Sequence, residues 1–189
     1  GNYTLISVAK PTFPDDQVVN ANCQQPVEVL GVKADSPTWI SISPDNDGDY
    51  DHLLSCTDCL EPVFTPEPGI PSEIEYRVCG YPILDYCVGN FEYCDTVKFT
   101  ILDSLILSVD NTNPMFCSGG QTSATASATG GDGNYSFIWY DSNLDVIGND
   151  ATQIFSVAGV YTVEVRDGNY IPGYCDDFQL SISVSESLP

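Results

Sequence analysis

Residues 130–140 read GGDGNYSFIWY, and residues 158–168 read AGVYTVEVRDG. Each is a glycine-punctuated turn running into a stretch of alternating side chains. In the first, Tyr135, Phe137 and Trp139 fall on one face, with Ser136, Ile138 and Tyr140 on the other. In the second, Tyr161, Val163 and Val165 fall opposite Thr162, Glu164 and Arg166. Alternation with a period of two over this length marks a half-buried β-strand. A tryptophan in mid-domain, a tyrosine opening a late strand, and Cys117 and Cys175 on the flanks give the pattern of an immunoglobulin-like β-sandwich.

Outward from this centre the chain continues in the same style. LILSV (105–109) and the small-residue run TSATASAT (122–129) precede it, and DFQLSISV (177–184) follows, with Phe178, Leu180, Ile182 and Val184 facing one way. A separate series comes earlier: NYTLISVA (2–9), VEVLGV (27–32), TWISI (38–42) with Trp39, SEIEYRV (72–78) and DTVKFTIL (95–102). Residues 55–71 hold Pro62, Pro66, Pro68 and Pro71, which makes them loop or edge. No segment has the i, i+3, i+4, i+7 spacing of an amphipathic helix. The chain is therefore expected to be all-β, with two tandem immunoglobulin-like β-sandwich domains at 1–103 and 104–189. Trp39 and Trp139 would anchor the two cores. Almost no linker separates the series at Ser104, so a stiff tandem is expected.

Composition narrows the function. Hydrophobic residues make up 42% of the 189, enough for packed cores. No apolar run reaches the roughly 18 residues of a membrane span. No leader-like segment is visible, so the chain is expected to start at a mature N-terminus or inside a longer protein. Five Lys+Arg stand against 27 Asp+Glu, a formal net charge of −22. Nucleic acids and anionic membranes are bound through basic side chains, so neither is expected as a partner. The eight cysteines divide as six before residue 100 and two after it. Disulfides at that density indicate an oxidising compartment: periplasm, cell surface or medium.

Cys117-Ser118-Gly119-Gly120, GGDGNYSFIWY, AGVYTVEVRDG and Cys175 resemble the SprB-type and PKD-like repeats of Bacteroidota cell-surface adhesins. The likeness spans 117–175 and includes an insert, NYIPGY at 169–174, before the closing cysteine. SEIEYRVCG followed by YCDTVKFTIL, within 72–102, is similar to the ending of bacterial cadherin-like and Ig-like repeats. The resemblance implies adhesion or stalk formation at the bacterial cell surface.

Several constellations carry more local expectations. A Cys117–Cys175 bond would close a loop of nearly 60 residues, worth about 4 kcal/mol in the chain-entropy picture. Cys79 and Cys94 flank a loop between two good strands and are expected to pair. Cys23, Cys56, Cys59 and Cys87 then allow three connectivities. Cys56 and Cys59 form a C-x2-C that zinc would occupy only with Cys87 or Cys23. PDNDGDYD (44–51) offers Asp45, Asp47, Asp49 and Asp51 at alternate positions, a source of hard oxygen ligands for calcium. Counted from Asp45, Gly48 stands fourth, unlike the EF-hand's sixth position. Asp95-Thr96-Val97 and Asp103-Ser104-Leu105 resemble a Bacteroidota O-glycosylation motif, with Ser104 the better candidate and Thr96 the second. Asn2 and Asn134 head N-glycosylation sequons.

Catalysis has little support. His52 is the only histidine, and no G-x-S-x-G elbow, H-E-x-x-H or phosphate-cradling loop occurs. The chain is expected to be a non-catalytic structural or adhesive module. It would act as a stiff block in a longer array, partnered by neighbouring domains, copies of itself or surface polysaccharide. An accessory carbohydrate-binding module of a secreted enzyme is the rival, kept open by Tyr81, Tyr86, Tyr93, Tyr170 and Tyr174.

Overall fold

A computed structural model describes residues 10–83, 91–176 and 178–187. The expected strand at 2–9, Asn2, Tyr86 and Cys87 lie outside them. The chain divides into two compact units, Gly1–Ile101 and Leu102–Pro189. Described secondary structure is strand apart from one short 3-10 turn.

The first unit contains β1 (Gln17–Asn20), β2 (Gln25–Pro26), β3 (Thr38–Ser43), β4 (Val63–Phe64), β5 (Glu73–Gly80) and β6 (Tyr93–Leu102). One sheet runs in the order β1-β6-β5-β3, and β2 pairs with β4 in a second, smaller layer. β5 is antiparallel to both β3 and β6. The expected alternation decides its faces: Ile74, Tyr76 and Val78 are buried, as are Val97 and Phe99 on β6. Phe64 crosses from the small layer to stack on Phe99 at 4.2 Å, and Tyr76 meets Phe99 edge-on at 5.6 Å. Trp39 is buried, and its indole N–H donates to the carbonyl of Cys59 at 3.0 Å. The 27–32 segment buries Val27, Val29 and Val32. Its ties to neighbours are scattered, such as Val27 N to Pro62 O and Val29 N to Leu60 O, so it forms no regular strand.

The second unit contains β7 (Ile106–Val109), β8 (Met115–Cys117), β9 (Thr122–Thr129), β10 (Ser136–Tyr140), β11 (Val146–Gly148), β12 (Thr152–Phe155), β13 (Gly159–Arg166) and β14 (Phe178–Ser187). Five strands run β11-β10-β13-β14-β8 and three run β12-β9-β7. β8 and β14 are parallel; the other pairings are antiparallel. The core is drawn from both sheets: Phe116, Trp139, Val163, Ile182 and Val184 from the larger, Ala124, Ala126 and Phe155 from the smaller. The two alanines of β9 leave room for Trp139, which meets Phe155 edge-on at 5.7 Å. Tyr161 opens β13 and its hydroxyl donates to Val157 O at 2.9 Å, the corner that immunoglobulin-type sandwiches build at this place. Gly130 has φ +83°, and a side chain there would collide with the carbonyl of Ser104, so glycine is required by both conformation and contact.

The disulfides follow the strands. Cys79 and Cys94 are bonded as expected, directly opposite one another on β5 and β6 with Cα atoms 4.0 Å apart. Cys56 is bonded to Cys59, which resolves the open connectivity there and removes both sulfurs as zinc ligands. Cys23 and Cys175 are each disulfide-bonded. The expected Cys117–Cys175 bond is not formed: Cys117 is an exposed free thiol. The reason is the length of β14. Cys117 lies beside Ser187 at its end, whereas Cys175 precedes its start at Phe178. Nine residue steps at about 3.3 Å each keep the two apart.

Candidate functional site

The acidic loop is fastened to β3 through one residue. Ser41 is buried, and it is bonded three times by the loop. Its N–H donates to Asp51 Oδ1 at 2.7 Å, its carbonyl accepts from Gly48 N at 2.9 Å, and its hydroxyl oxygen accepts from Tyr50 N at 3.0 Å. A register shift between Ser41 and Ser43 accompanies this. The four expected ligands go to different partners. Asp45 accepts the Tyr50 hydroxyl. Asp47 lies 3.9 Å from Arg77 Nη2, and Asp49 Oδ2 accepts Asn46 N and Nδ2 at 3.1 Å. Gly48, with φ +90°, and the 3-10 turn at Asp51–Leu53 bend the loop. Among the described residues, Cys79, Glu92 and Cys94 are the grouping with metal-ligand spacing, and two of its sulfurs are bonded to each other.

Two tyrosines around this loop hold their protons tightly. The bond to Asp45, then burial and the nearby carboxylates, push the Tyr50 phenol up to about 12. Burial, then Asp51, raises Tyr76 further, and its hydroxyl donates to Tyr50 O at 2.6 Å.

On the outer face of the second unit's larger sheet sits a polar cluster that sequence alone does not single out. Glu164 is only 3% exposed. Its Oε2 accepts from Tyr140 Oη and Gln179 Nε2, both at 3.2 Å, and its Oε1 accepts from Arg166 Nε. The Arg166 guanidinium lies 4.8 Å above the ring of Tyr170, which belongs to the 169–174 insert. The hydrogen bond to Glu164 raises the Arg166 pKa, and burial followed by Glu164 raises that of Tyr140. Both carboxylate oxygens are engaged, so the cluster is a satisfied network with no oxygen presented to a substrate.

A third feature lies where β11 and β12 end their sheets. A groove of about 310 Å³ is lined by Asp141, Ile147, Gln153, Ile154, Val157 and Tyr161, among others. Asp141 shapes its rim: Oδ1 accepts Asn143 N at 2.8 Å and Asp145 N at 3.0 Å, and these two backbone N–H groups lower its pKa. The Trp139 indole donates to Asp150 O at 3.0 Å, fixing the turn from β11 to β12. Gln153 of β12 occupies the space a side chain at Gly148 of β11 would need.

The remaining expected residues are separate. His52 is exposed and lies 3.0 Å from Glu67 Oε1. Ser104 and Thr96 are exposed, as is Asn134. Tyr81 is half-buried and Tyr170 is covered by Arg166, while Tyr93 and Tyr174 are each 38% exposed. No helix among the described residues is long and apolar enough to cross a membrane.

No protein-family profile matches the chain, and no curated protein matches it. Solved structures do. The first two domains of Rst align over 93% of this chain and 97% of that one, at 9% identity and a TM-score of 0.44. An eight-Ig-domain fragment of Down Syndrome Cell Adhesion Molecule aligns over 95% of this chain and 24% of that one, at 11% identity and a TM-score of 0.48. A Dscam structure solved for isoform specificity aligns over 96% and 47%, at 14% identity and a TM-score of 0.40. The chain thus spans about half or less of those Dscam chains. Nothing about ligand or partner follows from likenesses of this order.

Proposed function

We propose that the chain is a non-catalytic adhesive or structural module of an extracellular surface protein, of the SprB-type and PKD-like kind, working as a stiff block in a longer bacterial array. The observation that carries the reading is the Glu164 cluster. The buried acid of the second unit's exposed face is fully bonded by its own neighbours, which makes a scaffold and leaves no poised acid or base. The disulfides support an oxidising compartment. The charge of −22 keeps a crowded surface protein soluble. Electron microscopy of native surface material, with clustering of beads coated with the whole chain, tests it. Extended assemblies and clustered beads are expected; unconnected short particles and dispersed beads would refute it.

The carbohydrate-binding reading is favoured by one observation. Tyr93, the first residue of β6, and Phe91, two residues before it, are 38% and 67% exposed. A polysaccharide ring would stack on such a pair. A glycan array read with and without Phe91→Ala decides it: binding lost in the variant supports this reading, and no glycan bound by the parent chain ends it.

Calcium at the acidic loop and glycosylation at Ser104 or Thr96 are further parts of the proposal. Ligation would require Asp45 and Asp49 to exchange their bonds to Tyr50 and Asn46 for the ion. A melting temperature raised by several degrees in millimolar calcium relative to EDTA supports it, and an unchanged one counts against it. Intact mass of the native protein tests the sugar.

A further inference from the structure

The second unit's two sheets end differently on their two sides. On one side β7 packs against β14, and β8 lies along it. On the other, β11 ends the five-stranded sheet and β12 ends the three-stranded sheet, with the groove between them. Natural sheets blunt such edges with lysine, proline or a bulge. β11 is short and has the bulge, where its pairing shifts between Trp139 and Tyr140. β12 and the two residues after it read TQIFSV, with no charge and no proline. Among the described residues no strand lies beyond it. Around it, Leu144, Val146, Ile154, Val157 and Val160 are each 51% to 77% exposed. By register, Val146 and Val160 face outward from the larger sheet and Ile154 from the smaller, so both sheets expose apolar side chains.

We propose that this open side of the second unit docks an extended segment of a partner chain, added as a strand along β12, with apolar side chains entering the groove and lysine or arginine side chains alternating with them. Main-chain hydrogen bonds to an open edge supply affinity in this mode, and alternate side chains supply selectivity. The basic character follows from the flanks. Asp141 lines the groove, Asp145 immediately precedes β11, and Asp150 lies in the turn that follows it. Arg166 is the only Lys or Arg in residues 102–189. A second copy of the chain, with five Lys and Arg in all, has no alternating apolar and basic segment to offer at this edge. With a period of two, a segment alternating apolar and basic side chains sends one kind toward the groove and the other away from it.

This inference rests on the chain being a binding or structural module. Hydrogen exchange on the whole chain tests it, with a capped peptide of alternating valine and lysine as probe and one of alternating valine and glutamate as control. The amides of residues 152–157 are expected to exchange about tenfold more slowly with the valine–lysine peptide, and not with the control. Ile154→Lys, at an exposed position, is expected to abolish that protection while leaving the far-ultraviolet circular dichroism unchanged. Equal protection by the control peptide, protection elsewhere or none at all, or slowing that depends on protein concentration without peptide would each overturn it. Bead clustering separates the two claims. If Ile154→Lys beads cluster like the parent's and the peptide gives no protection, the docking edge is wrong and the module reading stands. If parent beads stay dispersed, the module reading fails whatever the peptide does.

Discussion

The indole N–H of Trp139 donates to the carbonyl of Asp150 at 3.0 Å, joining strand β10 of one sheet to the turn that leads into β12 of the other. In the first unit Trp39 does the same for Cys59, at the same distance. Each tryptophan thus fills its core and holds a loop. Trp139→Phe keeps much of the ring but leaves the Asp150 carbonyl without its donor, at a cost of about 1–3 kcal/mol. Trp139→Ala adds a cavity and is expected to cost about 3–5 kcal/mol. Urea unfolding followed by circular dichroism checks both values; a Trp139→Phe variant as stable as the parent would mean the hydrogen bond carries nothing.

Asp51 fixes the acidic loop by accepting the N–H of the buried Ser41. Asp51→Ala leaves that N–H unpartnered and is expected to destabilise the chain by about 1–3 kcal/mol. Asp47→Ala loses a long, exposed pairing with Arg77 and is expected to change stability by less than about 1 kcal/mol. Thermal melts of the two variants side by side test this, and a larger effect at Asp47 would refute the assigned roles.

Thiol chemistry should separate the cysteines. In native protein without reductant, iodoacetamide is expected to label Cys117 and to spare Cys56, Cys59, Cys79 and Cys94. Removing the β5–β6 staple as Cys79→Ala with Cys94→Ala opens a loop whose ends are 15 residues apart, and is expected to cost about 3 kcal/mol. Peptide mapping after labelling gives the first result and denaturant melts the second.

The protein should be lost to alkali in a defined window. Tyr50 ordinarily titrates near 10.0 and is held to about 12. A pKa raised by folding stabilises the folded state fully below the ordinary value, and that stability disappears as pH rises through the folded value. Tyr50 therefore supports the fold up to about pH 10 and stops doing so by about pH 12. Tyr76, raised by burial, acts in the same direction. Tyrosinate absorbance is expected to show Tyr50 ionising late, and Tyr50→Phe should remove that late step and flatten the alkaline decline. A variant with the same alkaline profile as the parent would contradict this.

The long strands were legible in the sequence because one face of each is buried. SEIEYRV and DTVKFTIL announce themselves by period-two alternation and TSATASAT as a run of small residues, and β5, β6 and β9 lie on them. β11 and β12 are silent in the sequence for the opposite reason. They end their sheets, and Val146, Ile147 and Ile154 are exposed, so the alternation has no burial to express. Glu164 reads as an outward, solvated position, yet Tyr140, Arg166 and Gln179 close over it. Spacing along an acidic run says nothing about convergence either. The backbone bends at Gly48 and again at the 3-10 turn, and the carboxylates of Asp45, Asp47, Asp49 and Asp51 go to separate partners.

The parallel register of β8 on β14 bears on how this unit would carry load. Met115, Phe116 and Cys117 stand beside Ser185, Glu186 and Ser187, all running the same way. Tension entering through the chain before β8 and leaving through the end of β14 pulls the two strands past each other along their length. Such a pull strains the bonds between them together, in shear, whereas an antiparallel hairpin pulled at its open ends gives way one bond at a time. Under such a load the bonds of this seam would part together or not at all.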